Sequence, residues 1–467
     1  MILARLILLL AVSLALAPQA AADRAAPTSR EAIHLSFAPL VKRVAPAVVN
    51  VFSRRVVRSN LGPGSLFNDP LFRRFFGEDS PFGMPRDRVE NSLGSGVIID
   101  SGGLIVTNRH VIEGGQEIRV VLADRREFDA SIILSDEHAD LAVLRIDAHG
   151  ERLPSLEIGD SDQIEVGDLV LAIGNPFGVG QTVTSGIVSG LARSIGGNDY
   201  GSFVQTDAAI NPGNSGGALV DMDGRLIGIN TAIVSQSGGS VGIGFATPAN
   251  LVRTVLEAAT HGGHVTRPWF GAVGQPVTQE LARSLHLPLP QGVLVKDIAP
   301  GSPAAKAGLR VGDVIVAING HEVADPQELR FRIATLSANS RVTISVRRGG
   351  SMMELAAALT PPPEQPSRDL TTMRGREPFA GATVGNLNPA FAEELGLEAT
   401  RTGVIVKEVA DDSIAAGLGI EPGDIVVSVN DREIGSVGEL QRSLGTGPPW
   451  RLTILRGDKR LTVTVGS

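Results

Sequence analysis

Cysteine is absent from this 467-residue sequence. The chain therefore has no disulfides, no thiol nucleophile and no thiolate metal site, and buried apolar cores must hold it together. Aromatics are scarce too: two tryptophans, one tyrosine and fifteen phenylalanines. That leaves little of the stacking surface that single-stranded nucleic acid needs, and a net charge of -8 disfavours a polyanion, so no nucleic-acid partner is expected. Beyond the N-terminal leader there is no apolar run long enough to cross a bilayer.

The leader itself, MILARLILLLAVSLALAPQAAA, has an early cation (Arg5), an apolar run from Leu6 to Ala17, a helix-breaking Pro18 and the small residues Ala20-Ala21-Ala22. This is the pattern of a secretory signal peptide, assigned to residues 1–22. Its apolar core of about a dozen residues falls short of the roughly 20 that span a membrane, although retention as an uncleaved anchor is the other reading. Export without cysteine is thus the expectation.

What the chain does contain is apolar substance and turns. Hydrophobic residues make up 43% and charged residues 20%, and there are 55 glycines, a composition that folds into several domains. From Ala47 to Ala246 short β-branched runs (AVVNVF, GVIID, LIVTN, IRVVL, LAVLRI, LVLAIG, GRLIGI) alternate with Gly, Asn and Asp. Such spacing predicts an all-β barrel or sandwich. The rhythm stops between Ser53 and Leu93, where a long loop (about 53–93) carries Phe67, Phe72, Phe75, Phe76 and Phe82; loops of that length are usually functional or disordered. A helical stretch near Ala249–Ala259 closes the region, and HGGH at 261–264 reads as a hinge.

The C-terminal part repeats itself. The segment beginning GVLVKDIAPGSPAAKAGLRVGDVIVAING at Gly292 aligns without gaps to GVIVKEVADDSIAAGLGIEPGDIVVSVND at Gly403. Two copies are too few for a solenoid, so each must be self-sufficient. Between them TPPPEQPSRD marks a stiff, exposed linker. The boundaries that follow are a first domain at 23–260, a module at 261–360, a linker at 361–376 and a second module at 377–467.

Three separated blocks carry chemistry. Ser215 lies in Gly213-Asn214-Ser215-Gly216-Gly217, where glycines let the backbone turn tightly and bring two N–H groups, those of Gly213 and Ser215, onto one oxygen. A serine hydroxyl needs a base to become a nucleophile. His110 closes the strand-like Thr107-Asn108-Arg109-His110-Val111, and Asp140 leads into Leu141-Ala142-Val143-Leu144. An imidazole accepts and returns a proton near neutrality, and a carboxylate fixes its tautomer. Asp136 and His138 are the rival carboxylate and imidazole, less well placed against the neighbouring strands. The order His, Asp, Ser is that of chymotrypsin-like double barrels.

TNRHVI, HADLAVLRI and TDAAINPGNSGGAL resemble the three active-site blocks of HtrA/Deg proteases, and the resemblance extends over nearly the whole mature chain. It implies a mainly β protein: a chymotrypsin-like double β-barrel protease domain followed by two PDZ domains. It implies His110, Asp140 and Ser215 as the triad, with Gly213 and Ser215 supplying oxyanion donors. A small-residue substrate pocket would form from Ile210 in the segment before the serine and from Ile229, Asn230, Thr231, Ala232 and Ile233. In the first PDZ domain Trp269-Phe270-Gly271-Ala272 resembles the loop that holds a peptide carboxylate; Phe379-Ala380-Gly381-Ala382 is its weaker counterpart in the second. The resemblance further implies ATP-independent degradation of unfolded periplasmic proteins, no cofactor or metal, partners in unfolded chains and peptide C-termini, and assembly as a homotrimer or larger. Arg109 stands where relatives often have histidine, and Pro212 occupies a variable loop position. A PDZ-based binding protein or chaperone with a latent protease domain is the alternative that the same motifs allow.

Overall fold

The computed structural model describes residues 36–57, 88–175, 180–193, 202–233, 240–261, 265–398, 400–457 and 459–466. The leader, the five phenylalanines of the early loop and positions 262–264 of the expected hinge lie outside them. A short helix, Ala38–Val44 (α1), comes first in the described chain.

Six strands then close a barrel: β1 (Val48–Val57), β2 (Arg88–Asp100), β3 (Leu104–Asn108), β4 (Glu117–Val121), β5 (Glu127–Asp136) and β6 (Leu141–Ile146), in the order β1-β2-β3-β6-β5-β4. All five residues of β3 are buried, whereas β4 alternates between inside and outside. This is the difference between a strand covered on both faces and one half-exposed to water. Val49, Val51, Ile98, Ile105, Leu144 and Ile146 fill the interior. The early loop is shorter than the sequence rhythm suggests, because β1 and β2 stay paired out to Val57↔Arg88. Ser53-Arg54-Arg55 and Glu90-Asn91-Ser92 interrupt the apolar alternation by which a strand is read from sequence, although the backbone ladder continues through them.

The second barrel has the order β10-β11-β12-β9-β8-β7, from β7 (Leu169–Gly174), β8 (Thr182–Arg193), β9 (Phe203–Thr206), β10 (Ala218–Val220), β11 (Leu226–Ile233) and β12 (Gly244–Pro248). Helix α3 (Ala249–His261) follows, α2 being the one-turn helix Arg109–Ile112 in the first barrel.

Both repeats form PDZ folds. The first contains β13 (Ala272–Pro276), α4 (Gln279–Ser284), β14 (Val293–Ile298), α5 (Pro303–Lys306), β15 (Val314–Ile318), β16 (His321–Glu322), α6 (Pro326–Ala334), β17 (Arg341–Arg348) and β18 (Ser351–Ala358). The second contains β19 (Thr371–Thr372), β20 (Ala382–Asn386), α7 (Pro389–Glu394), β21 (Val404–Val409), α8 (Ile414–Gly417), β22 (Ile425–Val429), β23 (Arg432–Glu433), α9 (Val437–Leu444), β24 (Trp450–Arg456) and β25 (Lys459–Val465).

Asp313 and Asn319 in the first repeat, and Asp424 and Asn430 at the equivalent positions of the second, have structural work. Asp313, 2% exposed, receives Arg348 Nε and Nη2, both at 2.7 Å, and the Arg310 N–H at 2.8 Å. Asp424 receives Arg456 Nε at 2.7 Å and Nη2 at 2.8 Å in the same way. Burial alone would raise the Asp313 carboxyl, but its guanidinium and N–H donors outweigh that and hold it below the usual carboxylate range. Asn319 and Asn430, both at φ +50°, end their strands in the left-handed region, where asparagine is among the best-tolerated side chains.

Candidate active site

Strand register brings the histidine and the aspartate together. Asn108 pairs with Leu141 across β3 and β6, so His110, just past the end of β3, and Asp140, just ahead of β6, share one end of the barrel. Asp140 itself sits at φ +50°. Its Oδ2 lies 2.6 Å from His110 Nδ1, and its Oδ1 accepts the His110 backbone N–H at 3.0 Å. Its carbonyl accepts the Arg109 N–H at 3.1 Å and Asn108 Nδ2 at 2.9 Å. Since a carboxylate can only accept, the ring carries its proton on Nδ1 and offers Nε2 as a base.

The rival carboxylate has another task. Asp136 accepts the N–H groups of His138 at 3.0 Å and Ala139 at 3.4 Å, shaping the turn that delivers Asp140. Its other oxygen meets Arg267 Nη2 at 2.5 Å, with the two side chains 3% and 5% exposed. Arg267 belongs to the segment entering the first PDZ domain, so this buried ion pair joins two domains.

Glu393 of α7 borders the same junction from the second PDZ domain. Burial, with Asp136 adding and Arg267 opposing, pushes its carboxyl up to about 7 from a usual 4.5. A folded-state value above the unfolded one means that the group's stabilising contribution is complete below 4.5 and is lost as the pH rises through about 7. Glu393→Gln should therefore flatten the pH dependence of Tm across that window; an unchanged slope in the variant would refute the assignment.

The loop that carries Ser215 is held by residues that the sequence does not single out. Ser95, wholly buried in β2, donates its N–H to the Ser215 carbonyl at 2.8 Å and its hydroxyl to the Gly213 carbonyl at 2.7 Å. The same hydroxyl accepts the Asn175 N–H at 2.9 Å, and Thr107 Oγ1 donates to the Ser95 carbonyl at 2.6 Å. The peptide planes on either side of the one bearing the Ser215 N–H are thus both pinned. A Cβ on Gly216, at φ +84°, would stand 2.0 Å from the Ser95 carbonyl oxygen, so only glycine fits there. Among the described residues the N–H groups of Gly213 and Ser215 make no hydrogen bond, which leaves them open to an oxyanion. The one signal in the sequence was a serine between glycines, Gly94-Ser95-Gly96, inside an apolar strand.

Among the described residues the Ser215 hydroxyl makes no hydrogen bond to the His110 ring. Ser215 Oγ donates to the Thr231 carbonyl at 3.2 Å rather than to the His110 ring. The Asp140–His110 pair is formed, and the Ser215 hydroxyl rests on β11. Asn108 joins the two, because its Nδ2 also reaches Thr231 Oγ1 at 3.2 Å.

Of the expected pocket residues, Ile210 is buried against Gly244, where an added Cβ would meet Ile210 Cδ1 at 2.8 Å. Ile229 and Asn230 are fully buried; Asn230 Nδ2 donates to the Ala218 carbonyl at 3.0 Å and its carbonyl accepts the Gly216 N–H at 2.8 Å. Thr231 holds the serine hydroxyl. Ala232 and Ile233 continue β11, paired with Phe245 and Gly244.

In the first PDZ domain Trp269, Phe270, Gly271 and Ala272 line a cavity of about 190 Å³ opposite Leu329 and Ile333 of α6. Gly271 adopts φ +76°. Pro389, Glu393 and Leu397 of the second PDZ domain line the same cavity.

Residues 94–229 match the trypsin-like peptidase domain family, and residues 294–348 and 381–466 each match a PDZ domain family. The chain is 36% identical over 483 residues to the periplasmic serine endoprotease DegP of Escherichia coli (strain K12), covering 97% of each chain. It is 40% identical over 431 residues to the periplasmic pH-dependent serine endoprotease DegQ of the same organism, covering 91% of this chain and 90% of that one. A solved structure of the HtrA-type protease AlgW with a decapeptide aligns with a TM-score of 0.51 at 46% identity, over 70% of this chain and 99% of that one. With two six-stranded barrels, two PDZ folds and such likeness along nearly its whole length, the chain belongs to the HtrA/Deg family of serine endoproteases.

Proposed function

We propose that His110, Asp140 and Ser215 are the triad by which this endoprotease cleaves unfolded polypeptides. Ser215 Oγ attacks the scissile carbonyl, and His110 Nε2 takes the hydroxyl proton and returns it to the leaving amine. Asp140 steadies the imidazolium, Gly213 and Ser215 N–H groups hold the oxyanion, and water then releases the acyl group. The observation that carries this reading is the Asp140–His110 pair at 2.6 Å, which leaves Nε2 as the free base. The hydroxyl bonded to Thr231 marks a resting state: turning it toward His110 completes the triad.

The Trp269–Ala272 loop captures the C-terminus of a client by strand addition along β13. Ile210 and the Ile229–Ile233 segment, with no acidic residue, favour a small apolar side chain before the cut bond. DegP and DegQ are named as periplasmic, and the leader pattern at residues 1–22 supports export of this chain to the same compartment; assembly as a homotrimer or larger is part of the same reading. Among the described residues no helix is long and apolar enough to cross a membrane.

A fluorophosphonate probe, applied with and without peptides bearing free C-termini, tests this reading. Adduct on Ser215, forming faster with peptide, is the expected result. No adduct under either condition, together with protection of an unfolded client from aggregation, would leave a peptide-gripping protein instead.

A further inference from the structure

The two PDZ domains differ at the one edge where such a domain takes its ligand. Peptides join PDZ domains as an extra antiparallel strand beside the strand that follows the carboxylate-binding loop. In the first domain that strand, β13, is an outer strand of its sheet among the described residues, and the Gly271 N–H has no hydrogen bond there. In the second domain the corresponding strand, β20, already has a neighbour on its outer side, β19.

The neighbour comes from the stretch that reads as linker in the sequence. Thr371 and Thr372 pair antiparallel with Val384 and Thr383. The Met373 N–H donates to the Ala382 carbonyl at 2.8 Å, and the Met373 carbonyl accepts the Gly381 N–H at 2.9 Å. A bound peptide's terminal carboxylate would claim that same loop N–H. The Met373 side chain, 3% exposed, joins the apolar cluster containing Phe379, Ala382, Val437, Leu440 and Leu444, between β20 and α9. Upstream, the carbonyls of Ser367 and Arg368 accept Asn386 Nδ2 at 2.9 Å and its N–H at 2.6 Å. Arg368 lies 4.9 Å over the Phe391 ring and pairs with Glu364 and Glu394. Both ends of the segment are fastened.

We propose that residues 367–373 are an internal ligand of the second PDZ domain, with Met373 seated as a C-terminal residue would be, so that client C-termini enter only the first. The match to the PDZ family starts at residue 381, so the occupying segment lies outside the module it fills. Tethering gives it an effective concentration on the order of millimolar, which a free peptide of micromolar affinity would have to displace. The charged rim of Arg368, Glu364 and Glu394 keeps the segment attached even when its strand frays.

The test uses the absence of cysteine. Thr372 and Thr383 face each other with Oγ atoms 3.2 Å apart, a placement suited to a disulfide. The full chain carrying Thr372→Cys and Thr383→Cys, with Ser215→Ala to prevent cleavage, should close this bond under mild oxidation. It should also bind one labelled peptide ending in Thr-Thr-Met with a free carboxylate, oxidised or reduced. Adding Met373→Lys to the Ser215→Ala chain should raise the count from one to two if the domain stays folded. Failure of the disulfide to form in folded protein would overturn the proposal, as would two peptides per oxidised chain or a single peptide on folded Met373→Lys. Should that last variant unfold, the disulfide decides alone. None of these outcomes bears on whether Ser215 is the nucleophile.

Discussion

Replacing Ser215 with alanine is expected to lower kcat on casein by on the order of a million-fold, down to what oxyanion donors and binding supply without a nucleophile. The variant should fold as the parent does, because the loop is held through backbone atoms. Ser95 reaches the carbonyls of residues 213 and 215, the Gly216 N–H reaches Asn230, and the Asn214 N–H reaches the Asn211 carbonyl at 2.9 Å. Only the hydroxyl bond to Thr231 is lost, worth about 1 kcal/mol. Initial rates on casein beside thermal melts separate chemistry from stability. Cleavage within tenfold of the parent would remove Ser215 from the mechanism.

Asp140→Asn is expected to cost about 10⁴-fold in kcat although it changes almost nothing in size. Both carboxylate oxygens are engaged, Oδ1 by the backbone N–H of His110 and Oδ2 by its Nδ1. The backbone N–H cannot change its polarity, so an asparagine must keep its oxygen there and turn its NH₂ toward the ring. Nδ1 then has to accept, the ring proton moves to Nε2, and the atom meant to receive the serine proton already holds one. Steady-state rates check this, with fluorophosphonate labelling alongside. A loss under tenfold would mean that the pair orients nothing of consequence.

The β character of the first domain and the internal repeat were legible because each rests on local pattern, whereas the double barrel followed only from the family resemblance. Apolar runs such as Leu104–Val106 and Leu141–Leu144 name their own strands, and antiparallel pairing does the rest. Ser95 was not legible, since its value lies in where the carbonyls of residues 213 and 215 fall, and a backbone oxygen leaves no mark on composition. Nor was the resting place of the Ser215 hydroxyl, which is a choice between two acceptors. The strand Thr371–Thr372 escaped notice for a different reason: two residues show no period, and the prolines before it speak of an exposed tether. The strand pairing beyond Ser53 is not legible because Ser53-Arg54-Arg55 and Glu90-Asn91-Ser92 lack the apolar alternation by which a strand is read.

Ser95 touches no reacting atom, and its hydroxyl clasps a carbonyl 118 positions downstream in the other barrel. The Ser215 loop is therefore not a portable cassette. Anyone grafting Gly213–Gly217 onto a foreign scaffold would have to graft a strand from the opposite half of the molecule with it, and any lineage that loses one must renegotiate the other.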